Sequence, residues 1–151
     1  MRAMILTTSR KPSRKTRSFA KALSRFLNWQ YVQRGKISLK EFENERICVI
    51  SEIKGNPAFL NFYDGDRKLI EIFLSVSNVK KTEIDRGEVV YFGDKYNFFE
   101  ALPAKLLEKF DKRPHFLKRI VENGNELLFY IGEDLIFKIR VLGVRRFDQS
   151  L

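Results

Sequence analysis

Between Thr7 and Leu27 the chain reads TTSRKPSRKTRSFAKALSRFL, with seven cationic side chains and no carboxylate. Guanidinium and ammonium groups at this density do one kind of chemistry, the neutralisation of a polyanion. Arginine does so with paired N–H donors that match phosphate oxygens, lysine as a compact point charge. Residues 1–36 hold ten bases (Arg2, Arg10, Lys11, Arg14, Lys15, Arg17, Lys21, Arg25, Arg34 and Lys36) and no Asp or Glu; the first acid is Glu41. Of the chain's 29 bases, 19 therefore remain beyond residue 36, against all 19 acids, so the formal charge of +10 resides in the first quarter. A neutral body with one cationic end predicts a polyanion footprint.

Other chemistry is poorly served. His115 is the single histidine and has no Cys or His neighbour at ligand spacing, so no zinc site is expected. The single cysteine, Cys48, lies inside the apolar run ICVISEI and reads as a buried, inert thiol. DGDRK imitates the start of a calcium loop, but Lys68 occupies the next ligand position and no bidentate Glu follows, leaving a hairpin turn. Glu133 and Asp134 read as solvated turn residues. No Ser–His–acid or Cys–His arrangement stands out, and no phosphate-binding glycine motif occurs. The expectation is a protein with no catalytic activity, no cofactor, no metal and no small-molecule substrate. No apolar run reaches the roughly 18–20 residues a membrane helix needs, so a cytoplasmic protein without membrane contact is expected.

The elements that must carry the cations follow from periodicity. MILTT reads as a short strand and SRKPS as a turn, with Pro12 at a first helical position or just before an N-cap, and Ser13 a candidate cap. From there Thr16, Phe19, Ala20, Leu23, Phe26 and Leu27 recur at helical spacing. QYVQRG reads as a second strand, and Ser38 as the cap of a short helix through LKEFENE. RICVISEI, AFLNFY and KLIEIFL form a meander separated by KGNP and DGD. Residues 75–95 resist assignment apart from the strand-like EVVYF. NFFEALPAKLLEKF reads as a helix interrupted at Pro103. ELLFYIGEDLIFKIRVL reads as a hairpin around Gly132, with Leu135, Phe137, Ile139 and Val141 on one face. This order predicts an α/β or α+β fold with a mixed sheet.

At about 100° per residue, the helix separates two faces. Arg14, Arg17, Ser18, Lys21, Arg25 and Asn28 fall opposite the apolar stripe. Cations in a first turn oppose the helix dipole by roughly 0.3–1 kcal/mol each, and like charges at this spacing add a few tenths more. A face selected for solubility alone would mix signs. Phosphates reverse that balance, so the face predicts nucleic-acid binding through backbone and shape, the helix N-terminus and Ser9, Ser13 and Ser18 adding donors. Tyr31 is the best candidate for base stacking, Trp29 reads as a packing anchor, and Arg145 and Arg146 are candidates to extend the cationic surface.

These residues resemble the Brix-domain family of ribosome-biogenesis proteins in its short archaeal form. The resemblance opens in ILTTSRKPSRKTRSFAKALSRFL, continues through RGKISLKE and VISEIKGNPAFLNFYD, and returns in DLIFKIRVLGVRRF; residues 75–125 carry little of it. It implies two similar halves with mixed sheets, near 1–75 and 76–151, each like an anticodon-binding domain and sharing one core. It also implies non-enzymatic RNA binding during ribosome assembly, on precursor ribosomal RNA and beside other assembly proteins. The positions matching the family's basic opening are Arg10, Lys11, Arg14, Lys15, Arg17, Lys21 and Arg25, with Arg34 and Lys36 in the second block. The competing classes are a stable component of the ribosome or another ribonucleoprotein, and an RNA-processing enzyme, for which the acid/base cluster is missing.

Overall fold

Outside the basic helix the chain is rich in β-branched and aromatic residues, and these build strands. The structure, a computed structural model, describes residues 4–42, 44–84, 86–107 and 118–147. In chain order it forms β1 (Met4–Thr8), α1 (Arg14–Leu27), β2 (Gln30–Tyr31), β3 (Arg46–Ile53), β4 (Asn56–Asp64), β5 (Arg67–Ser77) and β6 (Val89–Phe92). Then follow β7 (Leu102–Pro103), α2 (Ala104–Leu107), β8 (Lys118–Asn123), β9 (Glu126–Ile131) and β10 (Asp134–Arg146). The expected mixed α/β class holds, with one difference. The strands do not form two sheets but a single ten-stranded one, in the order β2-β1-β3-β4-β5-β10-β9-β8-β6-β7.

That order repeats itself. β1 runs parallel to β2 and β3, and β6 runs parallel to β7 and β8. Each parallel trio leads into an antiparallel meander, and the meanders join edge to edge through β5 and β10. Joining two edges removes two rows of unpaired backbone donors and acceptors. The core is shared as well: Phe19 and Phe26 of α1 meet Phe129 and Phe137 of the last hairpin, with Phe129 and Phe137 stacked at 4.3 Å. A smaller cluster of Ile5, Phe42, Ile47 and Val49 lies on the opposite sheet face, where Val32 and Ile37 pack against it.

Several expectations need correction. The helix expected after Ser38 is one 3-10 turn, Leu39–Phe42. Only Leu39 and Phe42 of that turn are apolar, and burying Phe42 needs no more than one turn. The second strand is two residues long, and Val32 beyond it stays tied to β1, its amide donating to the Leu6 carbonyl and its carbonyl accepting from the Thr7 hydroxyl. The helix read over residues 97–110 is confined to Ala104–Leu107 among the described residues, and 108–110 lie outside them. Asn97 is the reason: its side chain donates to the Ala101 carbonyl at 2.8 Å and accepts from the Ala101 amide at 3.1 Å, replacing helical bonds. Glu100 is left-handed (φ 57°), and Pro103 joins a parallel pair with Tyr91. The unassigned stretch from 75 resolves into the end of β5, residues 78–84 and 86–88 without helix or strand, and β6. In β10 the alternation breaks at a bulge between Leu135 and Phe137, so Ile136 and Phe137 are both buried.

Candidate nucleic-acid interface

α1 starts where the sequence places it. Pro12 precedes Ser13, whose hydroxyl accepts from the Thr16 amide at 3.1 Å, and Asn28 closes the helix in the left-handed region (φ 61°). Thr16, Phe19, Ala20, Leu23, Phe26 and Leu27 are buried on the sheet. Arg14, Lys15, Arg17, Lys21 and Arg25 are exposed, and so are Arg10 and Lys11 in the preceding turn and Lys36 beyond β2. Since 14–27 is one unbroken helix, Arg14, Arg17, Lys21 and Arg25 stay on one side of the molecule. Among the described residues the ion pairs involve Arg46, Lys68, Lys105, Lys138 and Arg140, and no carboxylate lies within 4.0 Å of those four helix cations.

The helix N-terminus carries an internal carboxylate beside it. Glu52, at the end of β3, accepts from the Ser13 amide at 3.2 Å and from the Thr16 hydroxyl. The Thr16 hydrogen bond leads in holding this carboxyl below its usual range, against the upward push of burial and with help from Ser13. The Ser13 hydroxyl donates to the Gly55 carbonyl at 2.7 Å. Gly55 sits in the two-residue turn Lys54–Gly55, where both residues have positive φ (51° and 77°), the geometry that matches the twist of a hairpin. Lys15 reaches the same turn, donating to Asn56 Oδ1 at 3.0 Å. So SRKPS and KGNP, 42 residues apart at Ser13 and Gly55, meet as one cap. An internal carboxylate thus lies beside the expected phosphate seat, where it competes with a phosphate and offsets part of the first-turn repulsion.

Arg34 departs from the other eight candidates. Its side chain points inward, 8% exposed, with Nε donating to the Ile37 carbonyl and a terminal nitrogen to that of Thr8. It fastens the segment after β2 to β1 and offers no free fork to a phosphate. Tyr31 is half-buried, and burial raises its phenol above the ordinary value, opposed by the nearby Arg17 charge. Trp29 packs against Phe62 and Phe99, as a packing anchor should. Arg145 and Arg146 are exposed at the end of β10, over the rings of Phe147 and Phe98. Cys48 is fully buried and its thiol is pushed far up by burial, which removes it as a nucleophile. His115 lies outside the described residues. Among the described residues no group of three metal-ligating side chains gathers, and no helix is long and apolar enough to cross a membrane.

Comparison with known proteins decides the lineage. No family model matches the chain. A protein of Archaeoglobus fulgidus named a probable Brix domain-containing ribosomal biogenesis protein is 43% identical over 148 residues, 94% of this chain and 97% of its own length. The chain belongs to the Brix-domain ribosomal biogenesis proteins. A Methanosarcina barkeri member is 29% identical over 161 residues and is covered completely. The crystal structure of an archaeal Imp4-like protein superposes with a TM-score of 0.74 at 26% identity, over 95% of this chain and all of the other. A probable ribosomal biogenesis protein from Aeropyrum pernix shares the fold at a TM-score of 0.62.

Three cations in this Brix chain were not legible in the sequence. Lys80 and Lys81 lie on the segment after β5 and line a cleft with Lys21 and Arg25 of α1. The adjacent pair of lysines was a signal, but it sits in a part of the chain with little periodicity and balanced overall charge. Lys118 was missed too. It is fully buried at the start of β8, and its ammonium donates to the Phe26 carbonyl at 2.7 Å and to Asn28 Oδ1 at 3.2 Å. It caps the C-terminal end of α1, where a cation is favoured.

Proposed function

We propose that this Brix-domain protein is a non-enzymatic RNA-binding factor of ribosome assembly, acting in the cytoplasm on precursor ribosomal RNA beside other assembly proteins. The observation that carries the reading is the outward face of α1, where Arg14, Arg17, Lys21 and Arg25 lie together with no carboxylate within 4.0 Å among the described residues. Arg10, Lys11 and Lys15 adjoin that face along the chain, and the exposed Lys36 beyond β2 is a further candidate contact. Such a surface recognises the charge and spacing of a sugar–phosphate backbone and holds few groups that read base edges.

Changing Arg14, Arg17, Lys21 and Arg25 together to Gln is expected to weaken RNA affinity and flatten its salt dependence by about three to four units of log–log slope. The circular dichroism spectrum should be unchanged. Wild-type affinity in that variant would remove the helix from the site. Crosslinking in cells, followed by sequencing of the bound RNA, identifies the target. Association with precursor particles alone marks an assembly factor, whereas retention on mature subunits at high salt marks a stable ribosomal component.

A further inference from the structure

The reading of α1 as an RNA-binding face treats it as a flat surface, but the molecule adds a second wall. After β5 the chain turns at Asn78, in the left-handed region (φ 61°), and runs back beside α1. The segment is fastened at both ends. The Lys80 amide donates to the Ile136 carbonyl of β10 at 2.9 Å, and Asn28 at the end of α1 donates to the Gly87 carbonyl at 3.1 Å. Between helix and segment lies a groove of about 390 Å³, lined by Ser18, Lys21 and Arg25 on one side and Lys80, Lys81 and Thr82 on the other. Ala22, Val79 and Ile84 form its apolar part, and among the described residues its lining holds no carboxylate.

We propose that this groove takes one unpaired RNA strand, gripped from both sides by the two pairs of cations. The proposal rests on the RNA-binding reading above and adds to it a strand state and a second set of contacts. Four cations around one narrow space, without a described carboxylate partner, repel one another until a polyanion enters. A volume within the range of small-ligand clefts suits a single sugar–phosphate strand better than a duplex. Hydroxyls of Ser18 and Thr82 supply donors to phosphate oxygens, and the small apolar side chains accept ribose or a base edge. With no aromatic plate among the described lining residues, binding is tolerant of sequence.

The test is a salt titration of binding to an unstructured oligouridine and to an RNA duplex of the same length. Lys80→Gln with Lys81→Gln should lower the single-strand slope by about 1.4 and weaken single-strand binding roughly ten- to twentyfold near 0.1 M salt. Duplex binding should change less than about twofold, whereas the quadruple helix variant weakens both ligands. Single-strand binding at wild-type strength in the lysine pair variant, or an equal loss on the duplex, overturns the groove. If the helix variant alone loses affinity, the RNA-binding face survives and only the groove fails; if neither variant loses any, both readings fall. Displacement of the oligouridine by polyglutamate as readily as by RNA would assign the groove to an acidic polypeptide and also overturn the proposal.

Discussion

Ser13 joins three parts of this molecule. Its hydroxyl caps α1 and holds the Gly55 turn, and its amide is bound by Glu52. Ser13→Ala should lower stability by about 1–2 kcal/mol, read from the urea midpoint. Glu52→Gln should cost about 1–2 kcal/mol near neutral pH, since the hydrogen bonds it accepts lose their charge. The pH dependence has a definite sign. A carboxyl whose folded pKa lies below its unfolded value of about 4.3 stabilises the fold above that value, and the contribution is lost as pH falls through the folded pKa. Wild type and Glu52→Gln should therefore converge in stability at acid pH, and a constant gap between pH 7 and pH 3 would refute the assignment. At the other end of α1, Lys118→Met removes the donor to the Phe26 carbonyl and should cost about 2 kcal/mol by the same measurement. Arg34 shows the limit of charge counting: a guanidinium in a basic block can be spent on backbone carbonyls.

α1 was legible as an element because two independent signals agree on it, the apolar stripe and the cap. Its C-terminal partner was not, since nothing in the sequence near Leu27 announces a lysine arriving from residue 118. The same contrast separates the two hairpin turns, written in local chemistry, from the stretch 97–110. There, good helix formers are overruled by the Asn97 side chain and by the parallel pairing of Leu102 and Pro103 with β6. The basic face was legible as a charge asymmetry, but the groove was not. It exists because a segment with no periodicity of its own is tied across the helix by Lys80 and Gly87.

At the scale of the molecule, each parallel trio of strands receives its following segment in a similar way. Glu52 in β3 holds the start of α1, and Glu122 in β8 accepts the Lys95 and Tyr96 amides at 3.0 and 2.9 Å as well as the Tyr91 hydroxyl. Burial pushes the Glu122 carboxyl up, and these hydrogen bonds outweigh it and hold it below its usual range. Gly93 makes that approach possible: a Cβ there would lie 2.5 Å from the Glu122 Cβ. Among the described residues α1 packs on strands of both halves, so they are expected to unfold together. Trp29, which touches Phe62 of β4 and Phe99 before β7, reports on both. Its fluorescence and the far-ultraviolet circular dichroism should follow one urea transition; two separated transitions would show independent halves. Phe137→Ala, at the junction of Phe19, Phe26 and Phe129, should shift that single transition by about 3–5 kcal/mol.

The amino-acid order alone determined the cationic first quarter, the capped amphipathic helix, the meander and the last hairpin. Each depends on residues close together in the chain, where side-chain period and turn chemistry act directly. Only the tertiary structure decided that two sheets merge through β5 and β10, that Glu52 lies beside the helix N-terminus, that Arg34 turns inward and that Lys80 and Lys81 face Lys21 and Arg25. These are contacts between distant segments, and their energy comes from shared burial and from hydrogen bonds formed only when the strands have found their order.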